Sequence, residues 1–438
     1  MSGGTLARLF GTDGIRGLAG GDVLTEALTL AVARSALRVL GGRRVVIGRD
    51  TRPSGPMLEA AAVAGFTAQG ADVSLLGVVP TPTVAFVVAS GQADLGLVIS
   101  ASHNPVQDNG LKLFGAGGHK LTDAQEKAIE ADLGQLGDVG AGAVHAAPAS
   151  MVEGYLGGLL ATAGRLDGLT VVVDGAQGAA WALAPELYRR AGATVIAIHC
   201  EGDGAHINEG CGATHPESLA AAVLKHSADL GIAHDGDADR CVVVDAAGAV
   251  LNGDQVLGLL ALARKDAGLA GSGVLVATVM SNLGLVQAMT LHDIDVVRTA
   301  VGDRYVLEAM LEGGHPLGGE QSGHVVMLDH ATTGDGLLTA LQVMDRVVRT
   351  GKPLSELASV VTLLPQVLVN VRADRSRATA PDVIAAVALQ DRELAGTGRI
   401  LLRPSGTEAL VRVMVEAPTQ AQADAVAHRL AAVVGDGR

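Results

Sequence analysis

Aromatic residues are almost missing from this chain: one Trp, three Tyr and four Phe among 438 residues. Any core must therefore be built from Val, Leu, Ile and Ala, which an apolar content of 48% supplies amply. Cysteine is scarcer still. Cys200, Cys211 and Cys241 are odd in number and show no C-x-x-C spacing, which argues against a disulfide framework and a zinc site and for reduced thiols. Positive charge is the minority sign, 32 Lys and Arg against 46 Asp and Glu. A net charge of −14 argues against a nucleic-acid binder, which needs a basic face to displace counterions. It leaves room for an anionic small molecule, because a few convergent Arg and Lys make a local positive pocket. No run approaches the ~18 consecutive apolar residues of a membrane span. No basic stretch followed by an apolar segment opens the chain, so the expectation is a soluble cytoplasmic protein with no membrane partner.

What is present is a repeated pattern. Short apolar runs rich in β-branched residues each end in a Gly, Asp, Ser or Asn cluster: RRVVIGRDTR (43–52), ADLGLVISASHNP (93–105), LTVVVDGAQG (169–178), ADLGIAHDGDADR (228–240) and SGVLVATVMSN (272–282). Ala-rich segments of helical length lie between them, including 55–70, 185–192 and 252–268. Alternation of this kind predicts α/β layers with largely parallel, buried strands, whose carboxyl-end loops are where ligands bind. The small-residue stretch 134–150 and breaks near 248–252 and 350–365 divide the chain into regions 1–150, 151–250, 251–362 and 363–438. The last region changes character, with three short strands and two helices, and reads as a small α+β unit. There Val411, Val413 and Val415 alternate with Arg412, Met414 and Glu416, as in a half-buried strand, and Thr419 with Gln422 forms a capping box.

Chemistry collects in the polar loops. Asp235, Asp237 and Asp239 stand at i, i+2 and i+4 in DGDADR, bounded by apolar strands. Three carboxylates so close repel unless a cation neutralises them, and hard oxygens favour Mg²⁺ or Ca²⁺ over zinc; the alternative is a solvated acidic turn. An EF-hand would need Gly at 240 and Glu at 246, where this chain has Arg240 and Ala246. In ISASHNP a strand emerges into a turn that presents Ser102 beside His103, either as a nucleophile or as an ordinary polar turn. RPSGTE (403–408) is a phosphate cradle or a decorated hairpin turn, and it is no P-loop. GGEQSGH (318–324) carries Glu320, Ser322 and His324, able to bond sugar hydroxyls; GTDGIRG (11–17) is glycine-rich and carries Arg16.

Taken in order, FGTDGIRG, ISASHNP, DGDADR, GEQSGH and RPSGTE resemble the motif set of the α-D-phosphohexomutases and span positions 10 to 408. The resemblance implies four domains, three α/β domains with mixed or parallel sheets and a small C-terminal α+β domain. It implies that Ser102 is phosphorylated in the active enzyme and that its phosphate completes a Mg²⁺ shell with Asp235, Asp237 and Asp239. Arg16, His103, Lys112, Arg240 and His324 would then surround the transferring group, Glu320 and Ser322 would meet the sugar, and Arg403, Ser405, Gly406, Thr407 and Arg412 would bind phosphate. FGTDGIRG, Gln321 and AVGDRYV (300–306) are similar to the branch of the family that acts on glucosamine phosphates. The partner implied is thus a small sugar phosphate, with glucosamine 1,6-bisphosphate as intermediate and activator, and the chain is expected to act as a monomer or homodimer.

Two positions depart from the family pattern: Ala238 stands where Gly is usual, and Ala409 where Pro is usual. Neither removes a functional group. The rival readings are the same chemistry on mannose or glucose phosphate, and a non-catalytic sugar-phosphate sensor. Ser102 and the three aspartates speak against a sensor, which needs neither. A haloacid-type phosphatase would place its nucleophilic Asp after an early strand, whereas this D-x-D lies mid-chain with a third Asp.

Overall fold

The computed structural model describes residues 8–135, 137, 140–404 and 409–435. It packs as two compact units, one of Met1–Val279 with Val296–Ser359 and one of Met280–Asp295 with Val360–Arg438.

The larger unit carries three mixed sheets. In the first, β1 (Ile15–Leu18), β2 (Arg44–Arg49), β3 (Asp72–Val78), β4 (Leu95–Ile99), β5 (Asp108–Phe114) and β6 (Val144–Ala146) run in the order β1-β5-β4-β2-β3-β6. The central strands are parallel, while β5 pairs antiparallel with both β4 and β1. In the second, β7 (Thr170–Asp174), β8 (Thr194–Ile198), β9 (Leu230–Ala233), β10 (Val242–Asp245) and β11 (Val250–Leu251) run in the order β11-β10-β9-β7-β8. Again β7, β8 and β9 are parallel and β10 turns back on β9. The third orders β12 (Val274–Thr278), β13 (Asp295–Thr299), β14 (Leu317–Gly319) and β15 (Val325–Met327) as β13-β12-β14-β15, with β14 parallel to β12 and β15 antiparallel to β14.

Continuous β-branched runs make these strands because both faces are covered by helices. Val45, Ile47, Leu97 and Ile99 pack with Leu58 and Phe66 on one face of the first sheet, and Val46 and Val98 with Val84 and Val88 on the other. Each such side chain contributes about 1.5–3 kcal/mol by leaving water. The core is aliphatic, as the shortage of aromatics requires. Several helices begin at side-chain caps: Asn252 with Gln255 closes a capping box on the helix Gly253–Asp266, and Asp335 accepts from Leu338 N at the start of Gly336–Thr350. Among the described residues no helix is long and apolar enough to cross a membrane.

The expectation of largely parallel sheets is met in part: parallel pairing reaches the edge strands β6 and β8 and joins β12 to β14. In each of the three sheets one strand of a parallel pair folds back into an antiparallel neighbour: β4 into β5, β9 into β10, β14 into β15. Residue pattern marks where strands are but not which way a neighbour runs. The consequence is that ISASHNP, DGDADR and GEQSGH occupy equivalent turns in three successive sheets.

The smaller unit holds β16 (Gln366–Arg372), β17 (Arg399–Pro404) and β18 (Leu410–Glu416) as an antiparallel sheet in the order β16-β18-β17. Its helix Gln420–Gly435 packs Val426 and Leu430 against Val411, Val413 and Val415. The half-buried reading of β18 needs a correction, because Met414 and Glu416 are buried as well. β18 is the central strand, and Glu416 accepts from Arg399 Nε and from Leu283 N. The helix Leu283–Leu291 belongs to this unit, tied by Asn282 to Leu364 through both its side-chain donor and acceptor.

Candidate active site

Ser102 leaves β4 in the left-handed region, at φ 53°, and is only 1% exposed. Its Oγ donates to Asp235 Oδ2 at 2.5 Å, linking the first turn to the second. Asp235, Asp237 and Asp239 present ligand oxygens that all lie within 4.8 Å of one another, and all three side chains are buried. Ala238, the departure from the family pattern, sits at φ 58° and costs of order 1–2 kcal/mol relative to Gly. Its backbone accepts from Gly336 N and donates to Asp235 O, so the turn is held closed.

The electrostatics of this triad fit a hard cation. Asp237 Oδ1 and Asp239 Oδ1 are buried and accept no hydrogen bond among the described residues. Burial first, and then the Asp239 and Asp237 carboxylates, push the Asp235 carboxyl up to about 7. Burial also opposes ionisation of Asp239, but Lys112 overrides it and holds that carboxyl below its ordinary range. A dication relieves the repulsion and the orphaned oxygens together.

Positive charge arrives from three directions. Lys112, on β5, places Nζ 2.7 Å from Asp237 Oδ2, 3.2 Å from Asp239 Oδ2 and 2.8 Å from Asp13 Oδ2. Burial would discharge this amine, but Asp13, Asp237 and Asp239 outweigh it and hold its pKa well above that of a free lysine. Arg16 pairs with Asp13 and reaches Asn104 Oδ1 at 3.4 Å. Arg240 Nε lies 3.8 Å from Asp235 Oδ2 and 3.9 Å from Asp239 Oδ1. His103 Nδ1 is 3.4 Å from Ser102 Oγ, and burial, then Arg240 and Arg16, push its pKa down to about 4, so its ring is neutral at physiological pH.

The third turn closes over these groups. Arg240 bridges to His324 along the backbone, and Cys241 N donates to Gly323 O at 3.0 Å. Glu320 accepts from Gly302 N at 3.1 Å, and His324 Nε2 is buried with no hydrogen-bond partner among the described residues. A cleft of about 390 Å³ is lined by Asp13, Arg16, His103, Asp239, Arg240, Glu320 and His324, among others. Ser322 is exposed and does not line it. In the smaller unit, Arg403 and Arg412 face each other in register on β17 and β18. Like charges directly opposite are unfavourable on a sheet unless an anion joins them. Ser405, Gly406 and Thr407 lie outside the described residues.

Sequence reasoning missed four contributors. Asp13 gathers Lys112, Lys120 and Arg16, which hold its carboxyl well below the usual range against the burial that would raise it. Lys120 sits 2.7 Å from Asp13 Oδ1 and also pairs with Asp303 of AVGDRYV. Thr81 clasps Asp237, its Oγ1 donating to Oδ2 at 2.6 Å and its N to the main-chain oxygen at 2.9 Å. Asp13 and Asp303 were inside recognised motifs; nothing local marks Lys120 or Thr81.

Comparison with known proteins decides what these turns belong to. The domain family described as phosphoglucomutase/phosphomannomutase, alpha/beta/alpha domain I, matches residues 7–137; domain II matches 153–248, domain III 252–363 and the C-terminal domain 368–433. The chain belongs to the phosphoglucomutase/phosphomannomutase family. Relatives within it include the phosphoglucosamine mutase of Saccharopolyspora erythraea, 58% identical over 98% of this chain and 99% of that protein. That of Thermobifida fusca is 55% identical over the same shares. A phosphoglucomutase/phosphomannomutase family protein of Burkholderia thailandensis has the same fold, with a TM-score of 0.82, 24% identity and 98% of each chain covered. So does the Aspergillus fumigatus N-acetylphosphoglucosamine mutase solved with GlcNAc-6P and magnesium, at a TM-score of 0.68, 19% identity, and coverage of 98% of this chain and 95% of that one. Family membership covers all four sheets, and three of them supply the turns described above.

Proposed function

We propose that this chain is an isomerase that interconverts glucosamine 6-phosphate and glucosamine 1-phosphate, with Ser102 as the phosphoryl carrier. The observation that carries the reading is the 2.5 Å contact from Ser102 Oγ to a buried aspartate triad, in a chain 55–58% identical to phosphoglucosamine mutases along its length. The boundaries at residues 150, 250 and 362 are part of the proposal; those at 150 and 362 fall between sheets, whereas 250 falls within β11, the edge strand of the second sheet.

Transfer from phosphorylated Ser102 breaks the P–O bond to Oγ and forms one to the free hydroxyl of the bound sugar phosphate. The hydroxyl proton ends on Ser102 Oγ, and His324 Nε2, buried without a partner among the described residues, is available to take it first. The product, glucosamine 1,6-bisphosphate, then returns its other phosphoryl to Ser102 by the reverse exchange. Lys112 stays protonated among its carboxylates and serves as fixed charge, as does Arg240; both stabilise the equatorial oxygens of the moving group. Arg16 anchors the turn from the cleft side, and Glu320 accepts from a sugar hydroxyl. Mg²⁺ held by Asp235, Asp237 and Asp239 would supply a Lewis-acid charge that neutralises the phosphoryl oxygens. In the smaller unit, Arg403, Ser405, Gly406, Thr407 and Arg412 would bind a phosphate dianion, which explains two arginines set opposite each other.

The test is intact-mass and peptide mapping after incubation with glucosamine 1,6-bisphosphate, paired with kcat/KM for glucosamine, glucose and mannose 6-phosphates. One phosphate on Ser102 and a preference for glucosamine are expected, and Ser102→Ala should abolish turnover while leaving the fold intact. Residual activity within tenfold of wild type ends the carrier role; a preference for glucose or mannose phosphate transfers the reading to the sister activities.

A further inference from the structure

Among the described residues, the largest fully buried side chain is charged. Arg52, just beyond β2, is 0% exposed, and so is its ion-pair partner Asp50. All five of its N–H donors are used. Nε donates to Asp50 Oδ2 at 2.9 Å; Nη1 donates to Asp108 O at 2.9 Å and to Pro105 O; Nη2 donates to Ser102 O at 2.9 Å and Asn104 O at 2.7 Å. Four acceptors are thus main-chain carbonyls of residues 102–108, the turn that carries the serine.

Asp50 extends the same hold. Its Oδ2 also accepts from Ser100 Oγ at 2.6 Å, and Ser100 Oγ accepts from Ser102 N at 2.9 Å. The peptide units on both sides of Ser102 are therefore pinned, one through Ser100 and one through Arg52, with Asn208 Nδ2 adding a second bond to Ser102 O at 2.9 Å. Ser102 occupies a left-handed conformation that a β-carbon disfavours, and such a residue keeps it only when its surroundings over-determine it. A planar fork of five donors can serve four carbonyls and a carboxylate at once; an ammonium has three donors and no plane.

We infer that Arg52 is the positioning residue of the phosphoryl-carrying serine, acting through the curled backbone of residues 102–108 to aim Ser102 Oγ at the cleft. Arg52 touches neither the cleft nor the triad, so its loss lowers the transfer rate and leaves sugar-phosphate affinity nearly unchanged. This rests on Ser102 being the carrier.

Arg52→Lys and Arg52→Ala are compared with wild type for kcat, KM and phosphate on Ser102 after charging with bisphosphate. Displacing a reacting atom by about an ångström costs on the order of a hundredfold in rate. The expected result is kcat lower by that factor in Arg52→Lys, KM within threefold of wild type, and partial rescue of Arg52→Ala by millimolar methylguanidinium but not by methylammonium. A kcat within threefold of wild type in either variant, or rescue by both amines alike, overturns the inference. Should the Arg52 variants fail to fold, Asp50→Asn decides: a fall in kcat at unchanged KM supports the positioning role, and an unchanged kcat refutes it. A wild-type enzyme that never acquires phosphate on Ser102 overturns the carrier reading instead, which keeps the two failures distinct.

Discussion

Replacing Lys112 by Met tests the charge balance of the site most directly. The side chain is 3% exposed, and its Nζ contacts Asp237 at 2.7 Å, Asp13 at 2.8 Å and Asp239 at 3.2 Å. At an effective dielectric of about 20, each contact amounts to roughly 5–6 kcal/mol of Coulomb energy. Most of that offsets the desolvation of four charges, so the net loss on removing one buried partner is about 3–5 kcal/mol. Asp13 keeps Lys120 and Arg16, and the uncompensated charge therefore falls on Asp237 and Asp239. Those two carry the orphaned oxygens that fit a cation. Lys112→Met should therefore be destabilised by about 3–5 kcal/mol in chelator, and Mg²⁺ should restore more stability to the variant than it adds to wild type. At a hundredfold excess over Kd, a ligand of the native state adds about 2.7 kcal/mol. Thermal unfolding of both proteins in chelator and in Mg²⁺ measures all four corners. A loss below 1 kcal/mol in chelator, or equal gains from Mg²⁺ in both proteins, would refute the reasoning.

Two further perturbations read other parts of the unit. Burial pushes the Asp335 carboxyl from 3.8 up to about 6, against the bonds from Leu338 N and Tyr155 that favour its charge. Between those values the native state binds more protons than the unfolded chain, so stability falls as pH rises from about 4 to 6 and is flat above. The span is about two units, on the order of 3 kcal/mol, and Asp335→Asn should remove that slope from the pH dependence of Tm; an unchanged slope contradicts the assignment. A β-carbon at Gly334 would overlap the His324 ring. Gly334→Ala should therefore lower kcat tenfold or more by displacing His324, with about 1–3 kcal/mol of overpacking; wild-type kcat would remove His324 from the reaction.

The candidate site was legible in the sequence wherever a single loop carries it. Asp235, Asp237 and Asp239 span five residues between two strands, so the spacing offered either a cation site or a solvated acidic turn, and in the structure all three are buried with their oxygens clustered. Ser102 was legible only as the tip of a turn, and that turn's partner, Asp235, is 133 residues away. The aliphatic cores followed from composition, and the strands from their β-branched runs.

What tertiary structure alone decided are the contacts that join distant segments. Asp13 meets Lys120 across 107 residues, Lys120 meets Asp303 across 183, and Arg52 meets the carbonyls of the serine turn across 50 to 56. No local pattern encodes them, because each residue looks like an ordinary surface charge until its surroundings exclude water. Nor could spacing reveal the antiparallel return strand in each α/β sheet, since strand direction depends on which neighbour is available to pair. The sequence by itself determined the chemical groups and the turns that carry them. Burial, which strengthens charge pairs and makes every unpaired polar atom costly, decided which of those groups act together.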